Sequence, residues 1–552
     1  MICLEKYKIW KEKVKDSVLF EELAKMNDKE AEDAFFKELS FGTGGLRGIL
    51  GAGTNRMNIY VVAKASQGLS GYIKKHFKEP SIAIGYDTRI NSELFAKVSA
   101  EVFSQNNIKV YLYSKALPVP CLSYAVRKLN CSAGVMITAS HNPSKYNGYK
   151  VYGSDGCQIT TQAAKEIYDE IKKHDEFSIK RKHFDNNELI DFISDDVLTS
   201  FIEEVKNLSY LYGESINKDI SVVYTPLNGT GFIPVTRVLK ELGYSNLITV
   251  KEQEEPDGNF PTCPYPNPEV KEAMELGIEY AKKNDADILI ATDPDCDRVG
   301  VAIKDDDAFT ILNGNQVGVL LFNYICEQKI KHNVMPDNPV LIKTIVTTDM
   351  ADKIADSYGI ETLNVLTGYK FIGEQIGLLE KEGRLNDFVF SFEESDGYLS
   401  GSHVRDKDGV NGACLVCEMY AYNKDKGVSL IDKLEELYKK YGYYVNSLKS
   451  YEFPGADGFE KMQNIMKSLR DKHLDSIIEI KVKEKKDYSL GIDGLPKSDV
   501  LKYFLEDGST IVIRPSGTEP KLKAYISTCS VSDEKSSKKN EVLSEYIKKL
   551  MY

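Results

Sequence analysis

Thr138-Ala139-Ser140-His141-Asn142-Pro143 follows an apolar run at 134–137 and reads as a strand that stops at a serine held in an Asn-Pro turn. A hydroxyl at a strand end is where an open α/β sheet presents its chemistry, in the crevice beyond the carboxyl ends of the strands. Taken alone, the segment also fits a capped turn with a structural histidine. A second apolar run, 286–291, supplies the partner: it ends in Thr292-Asp293-Pro294-Asp295-Cys296-Asp297-Arg298. Three carboxylates at alternating positions can converge on one hard cation such as magnesium, which takes oxygen ligands and leaves room for water or phosphate. The spacing does not fit a calcium EF-hand loop, because Arg298 stands where the turn glycine belongs and Lys304 where the closing glutamate belongs.

Two more strand-bounded loops complete the set. Arg514-Pro515-Ser516-Gly517-Thr518-Glu519-Pro520-Lys521 lies between the apolar runs 510–513 and 522–526. Its arginine offers forked donors to a phosphate, its hydroxyls add neutral donors, and Gly517 lets backbone N–H groups turn inward as an anion nest. Glu393-Glu394-Ser395-Asp396-Gly397-Tyr398 follows the run 388–392, and Glu393 with Ser395 makes a carboxylate-plus-hydroxyl grip suited to sugar hydroxyls.

With these four loops in this order, the sequence resembles the α-D-phosphohexomutase superfamily of phosphoglucomutases and phosphomannomutases over most of its length. Further segments of the same kind are Phe41-Gly42-Thr43-Gly44-Gly45-Leu46-Arg47-Gly48, Gly85-Tyr86-Asp87-Thr88-Arg89, Thr367-Gly368-Tyr369-Lys370 and Asp406-Lys407-Asp408-Gly409. The resemblance implies that Ser140 is phosphorylated; that Asp293, Asp295 and Asp297, with Ser140, bind one Mg2+; that Glu393 and Ser395 contact sugar hydroxyls; and that Arg514, Ser516, Gly517 and Thr518 hold the substrate phosphate. It also implies four domains around a central cleft, three similar α/β mixed-sheet domains and a C-terminal α+β domain like the TATA-binding protein. The expected bounds are 1–208, 209–316, 317–444 and 445–552. Within the superfamily, length and the run 41–48 look closest to the branch that includes phosphoglucomutase 2.

The chemistry explains why such a set is needed. One positioned attack cannot move a phosphoryl group between two hydroxyls across a sugar ring, whereas a phosphoserine can give its phosphoryl to a sugar monophosphate and take the other one back from the bisphosphate. Each transfer then depends on positioning and charge neutralisation, with Arg298 beside the metal ligands. Lys150 matches a family lysine proposed to move protons, but it would need cationic neighbours to depress it before acting as a base. His141 reads as a support of the serine loop within the catalytic group. Arg47, Thr367, Gly368, Lys370, Lys407 and His403 are the remaining expected contacts for phosphate or sugar. The expected reaction is glucose 1-phosphate to glucose 6-phosphate, with glucose 1,6-bisphosphate as activator and intermediate. Alternatives are a phosphomannomutase, a phosphopentomutase acting on ribose or deoxyribose phosphate, a glucose 1,6-bisphosphate synthase and, from another class, a non-catalytic phosphosugar-binding protein.

Composition agrees with a large enzyme. At 552 residues the chain exceeds what one hydrophobic core supports, so three to five domains are expected. A net charge of −12 argues against nucleic acid as a partner. Ten cysteines without paired zinc-like spacing read as reduced thiols, and with no secretory leader or long apolar run the expectation is a cytoplasmic protein with no membrane partner, a monomer or weak dimer. Strand-like runs at 81–85, 134–137, 220–224, 287–291, 340–344 and 388–392 alternate with amphipathic stretches, the α/β pattern. The charged stretch to about Glu38 reads as helical, anchored by Trp10.

Overall fold

The computed structural model describes residues 2–42, 45–306, 308–453, 455–472, 474–516 and 521–551, with the side chains of 2, 3 and 455–457 excepted. The chain packs as two compact units. One comprises residues 1–314, 369–390 and 395–422, and the other 315–368, 391–394 and 423–552.

Four sheets organise these units. The first runs, in spatial order, Gly45–Ile49, Tyr146–Gly153, Ala133–Ile137, Ser81–Tyr86, Lys109–Leu112 and Ile190–Phe192. Its last four strands are parallel, and the first two add antiparallel pairs at the edge. The second sheet repeats the scheme: Leu247–Thr249, Val222–Thr225 and Ile288–Thr292 are parallel, and Val299–Asp305 and Ala308–Leu312 follow antiparallel. In the third, Glu361–Val365, Val340–Thr344, Phe388–Glu393 and Gly397–Leu399 stand in that order. The strands predicted from apolar runs are all present, within a residue or two at each end except that the run 522–526 extends to Ser530.

This order exposes a repeat that the residues conceal. In each of the three sheets a central strand leads through a short loop into the strand beside it. Those three loops are the serine segment 138–145, the aspartate segment 293–298 and the turn 394–396. Each leaves the carboxyl end of a fully buried strand, where side chains face outward from the sheet.

The fourth sheet is different: six antiparallel strands in the order Tyr443–Glu452, Lys521–Ser530, Thr510–Pro515, Leu501–Leu505, Ile480–Asp487 and Ser476–Ile477. Side chains of the helices Gly455–Asp471 and Asp533–Met551, among them Met462, Met466, Leu543 and Ile547, share one apolar core with the sheet.

At the amino end, the charged stretch expected to be helical resolves into three helices, Ile2–Lys13, Ser17–Lys25 and Asp28–Phe35. The breaks come from local capping. Asp16 accepts the Leu19 N–H, and Asn27 forms a reciprocal capping box with Glu30, so each side chain takes first-turn donors that a continuing helix would have bonded itself. Trp10 anchors the group as expected: it is 1 % exposed, sits edge-on to Phe35, Tyr60 and Phe177, and donates its indole N–H to Glu176 Oε1 at 3.0 Å. Among the described residues no helix is long and apolar enough to cross a membrane. The nine cysteines whose side chains are described are all free, and eight are buried.

Candidate active site

Ser140 stands three residues past Ile137, the last residue of the strand Ala133–Ile137, and its backbone is left-handed, with φ 52°. A non-glycine residue holds that conformation only where its surroundings impose it. Here Thr138 Oγ1 accepts the Ser140 N–H at 2.8 Å and donates to Asp87 Oδ2 at 2.6 Å. The Arg89 guanidinium donates to the carbonyls of Ser140, Asn142, Pro143 and Tyr146. Arg89 is itself buried against Asp87, Nε to Oδ2 3.3 Å. The loop is therefore pinned at four carbonyls by one fork, and the serine hydroxyl is turned outward from it.

That hydroxyl meets the aspartate loop. Ser140 Oγ donates to Asp293 Oδ2 at 3.0 Å. Asp293, Asp295 and Asp297 are fully buried and each offers an oxygen within 4.8 Å of the others. Asp293 Oδ1 accepts the N–H groups of Asp297 and Arg298, which closes the turn. Asp295 Oδ1 and Asp297 Oδ1 are buried and have no hydrogen-bond partner among the described residues. Three buried carboxylates, two of them with an orphaned oxygen, suit a hard divalent cation, so these residues fit Mg2+.

Cations surround the triad. Lys150 Nζ lies 2.8 Å from Asp295 Oδ2 and 3.5 Å from Asp297 Oδ2, and Lys407 Nζ lies 2.7 Å from Asp297 Oδ2. Arg298 pairs with Glu269 at 2.6 Å and places Nε 3.8 Å from Asp293 and 3.9 Å from Asp297. Burial raises the Asp293 pKa well above the usual carboxylate value, with the neighbouring aspartates adding to it. Burial would raise Asp295 too, but the Lys150 ammonium outweighs it and holds that carboxyl well below the usual range. The same contacts settle the state of Lys150. Burial alone would lower it, yet Asp295 and Asp297 together raise it, so it stands as an ammonium. The cationic neighbour that a basic role requires is present in Lys407, but the carboxylates outweigh it.

His141 lies 3.4 Å from Ser140 Oγ through Nδ1 and packs edge-on to Tyr265. Burial, with Arg298 and Arg47 nearby, holds its pKa well below the usual histidine value, so the ring is neutral. Arg47, on the edge strand Gly45–Ile49, donates to Asn142 Oδ1 at 3.0 Å and so reaches the serine loop. Lys407 also stands over the Tyr369 ring, 5.8 Å from its centre. Lys370 is buried, and that burial lowers its pKa to about 8. Ser395 is half-buried in the turn 394–396, whose Asp396 carbonyl accepts the Val299 N–H at 2.9 Å. His403 Nε2 is engaged by Asp408 at 2.8 Å and its ring packs on Phe201; Asp408 in turn accepts the N–H groups of Val410 and Asn411 in the first turn of the helix Gly409–Asp425.

The second unit holds a separate group. Glu393 Oε1 accepts the Gly368 N–H at 3.1 Å, where Gly368 has φ 116° with open space where a Cβ would stand. Thr367 Oγ1 beside it is buried and has no hydrogen-bond partner among the described residues. Arg514, half-buried on the strand Thr510–Pro515, donates to the Tyr525 hydroxyl at 3.2 Å and stacks over that ring. Burial, with Glu394 and Glu393 contributing, pushes the Tyr525 pKa up to about 12. The Ser516 N–H donates to the Lys521 carbonyl at 2.8 Å. Gly517 and Thr518, expected in the phosphate loop, lie outside the described residues.

Asp87 and Arg89 had been given no role from sequence, although the Asp-Thr-Arg triplet directly after a strand was a usable signal. Their burial and pairing are what hold Ser140.

Comparison with known proteins gives four consecutive matches. The alpha/beta/alpha domains I, II and III of the phosphoglucomutase/phosphomannomutase family match residues 38–178, 199–306 and 313–441, and its C-terminal domain matches 471–542. A phosphoglucomutase of Staphylococcus aureus is 36% identical over 97% of this chain and 98% of its own. One from Staphylococcus saprophyticus is 35% identical over 94% and 96%. In fold, a phosphoglucomutase/phosphomannomutase family protein of Burkholderia thailandensis superposes with a TM-score of 0.69 at 18% identity, covering 92% of this chain and 97% of the other.

Proposed function

Because the chain belongs to the phosphoglucomutase/phosphomannomutase family, we propose that it is a phosphoglucomutase, an isomerase that interconverts glucose 1-phosphate and glucose 6-phosphate through a phosphoserine and glucose 1,6-bisphosphate. The observation that carries this reading is Ser140 Oγ directed at Asp293 within a buried ring of three aspartates and three cations.

In the working enzyme Ser140 Oγ carries a phosphoryl group. The free hydroxyl of the bound sugar monophosphate attacks that phosphorus, the P–Oγ bond breaks as the new P–O bond forms, and a bisphosphate results. The hydroxyl gives up one proton and Ser140 Oγ takes one up, so no net acid or base is consumed. Lys150, an ammonium held between Asp295 and Asp297, supplies the proton to the departing serine oxygen and is restored from the sugar hydroxyl. The bisphosphate turns over, and its other phosphoryl returns to Ser140 by the reverse steps. Asp293, Asp295, Asp297 and the oxygen on Ser140 would hold one Mg2+, which would supply positive charge to neutralise the transferring phosphoryl group. Arg298 adds charge from the same turn.

Glu393, Ser395, Thr367 and Gly368 are assigned to the sugar, and Arg514, Ser516, Gly517 and Thr518 to the phosphate that is not reacting. Arg47, Lys370, Lys407 and His403 complete the substrate contacts, His403 through its hold on Asp408. The domain bounds at 208/209, 316/317 and 444/445 and the placement beside phosphoglucomutase 2 belong to the same proposal. The cytosol, supported by the free thiols, belongs to it as well.

The direct test follows glucose 6-phosphate formed from glucose 1-phosphate with Mg2+ and a trace of glucose 1,6-bisphosphate. Turnover of at least about 1 s⁻¹, in the ordinary range for enzymes, is expected. A folded, phosphorylated protein that turns over mannose or pentose phosphates and not glucose phosphates would overturn the substrate assignment.

Lys370 makes the reading pH-sensitive. Its pKa near 8 means that the cation is present below that pH and lost above it, so kcat/KM for glucose 1-phosphate should fall as pH rises through about 8. Lys370→Arg should shift that limb upward, since a guanidinium stays charged. Lys370→Met should raise KM about 10-fold or more at pH 7, the cost of a lost charged contact. Steady-state kinetics between pH 6.5 and about 9 check all three, and an unaltered alkaline limb in Lys370→Arg would remove Lys370 from the substrate.

A further inference from the structure

We propose that Thr230, in the loop Pro226-Leu227-Asn228-Gly229-Thr230-Gly231, is a positioning residue that aims the aspartate turn by fixing the Pro294 carbonyl. The inference rests on the reading of Asp293, Asp295 and Asp297 as a Mg2+ site.

Pro294 lies between two of the three ligands, so the orientation of its peptide sets how the Asp293 and Asp295 side chains diverge. Proline offers no N–H, and its carbonyl is the one handle the backbone has there. Two donors from one residue take it: the Thr230 N–H and the Thr230 hydroxyl each donate to Pro294 O at 2.9 Å. Thr230 is 5 % exposed, so water does not compete for either bond.

The surrounding glycines show how closely the two loops are seated. A Cβ on Gly229 would stand 2.4 Å from Pro294 Cα and 2.8 Å from its oxygen, and one on Gly231 would stand 2.6 Å from Thr292 Oγ1. A side chain at Gly229 would therefore meet the backbone of the aspartate turn, and one at Gly231 would meet the side chains of Tyr224, Thr292 and Cys296. The brace is anchored at its other end. Leu227 and Asn228 are both left-handed, Asn228 Nδ2 donates to the carbonyls of Glu252 and Glu255, and Thr88 Oγ1 donates to the Asn228 carbonyl at 2.9 Å. Thr88 sits between Asp87 and Arg89, the pair that pins the serine loop. One continuous chain of bonds thus runs from the clamp on Ser140 to the turn that receives its hydroxyl.

The next two carbonyls of the turn are held as well, Asp295 O by the Val119 N–H at 2.9 Å and Cys296 O by the Gly409 N–H at 3.1 Å. Those donors are backbone groups that a substitution does not remove. Thr230 Oγ1 is the side-chain donor in this set, and substitution reaches it directly. The doubled bond at Pro294 fixes that carbonyl between two of the three carboxylates.

Thr230→Val keeps the shape and the N–H and removes one donor. The expected result is Mg2+ binding weakened about 3- to 10-fold by calorimetry on the full-length protein, from the loss of one buried hydrogen bond. The kcat should fall by a similar factor, KM for glucose 1-phosphate should stay unchanged, and Thr230→Ser should restore both. Wild-type Mg2+ affinity and kcat in folded Thr230→Val would overturn the proposal. If Thr230→Val does not fold, the comparison passes to Thr230→Ser and Thr230→Ala: weaker Mg2+ binding by the alanine variant supports the brace, and equal binding by the two overturns it. Wild-type protein that binds no Mg2+ would overturn the metal reading and the brace together, which distinguishes that failure from a brace that does nothing.

Discussion

Ser140→Ala is expected to lower the mutase rate about 10⁴-fold or more while leaving the fold intact, because removal of a covalent nucleophile leaves only binding and electrostatics to assist the reaction. The hydroxyl's contacts are with Asp293 at 3.0 Å and, at 3.4 Å, with His141. Its loss therefore removes one good hydrogen bond, a stability change of about 1–2 kcal/mol. The left-handed backbone at Ser140 is imposed by Thr138 and Arg89, which the substitution does not touch. Intact-mass spectrometry provides the second readout. Wild-type protein incubated with glucose 1,6-bisphosphate should gain the mass of one phosphoryl group, and Ser140→Ala should not. A variant that keeps the label, or keeps more than about a hundredth of the rate, would move the nucleophile elsewhere.

Arg89→Met is expected to cost about 3–5 kcal/mol of stability, the penalty for breaking a buried ion pair by removing one partner. The substitution leaves the Asp87 carboxylate buried beside only Thr138, Ser92 and a backbone N–H, and it strips the serine-loop carbonyls of their shared donor. Burial already raises the Asp87 pKa, with Arg89 the main opposing influence. Without Arg89 the carboxyl should rise further and take up a proton at higher pH than in the wild type. The variant's shortfall should accordingly shrink on acidification, because a protonated Asp87 no longer bears an uncompensated charge. Asp87→Asn combined with Arg89→Met should cost less than the sum of the two single changes. Urea titration at two pH values measures both effects, and strict additivity would show that the pair is not a coupled unit.

Much of the site was legible because its chemistry is local in sequence. Three aspartates at alternating positions, a serine before Asn-Pro and an arginine beside Ser-Gly-Thr each announce a ligand type within eight residues. The strands carrying them were equally visible, since buried strands read as unbroken apolar runs. The state of Lys150 was not legible. From sequence it was a proton carrier in need of cationic neighbours, and only the meeting of Tyr146–Gly153 with the aspartate turn shows that carboxylates outweigh its cationic neighbour Lys407. The grip of Thr230 on Pro294 was hidden for the same reason, as 64 residues separate its partners.

The sequence by itself determined which groups the protein possesses and which strand end presents each of them, because hydrophobic periodicity and turn chemistry act over a few residues. The tertiary structure decided which charges face one another, hence that Lys150 rests as an ammonium against Asp295 and Asp297, that burial lowers the Lys370 pKa, and that Asp87 and Arg89 hold the Ser140 loop. Burial and Coulombic interaction depend on distance through space, and chain separation does not encode that distance.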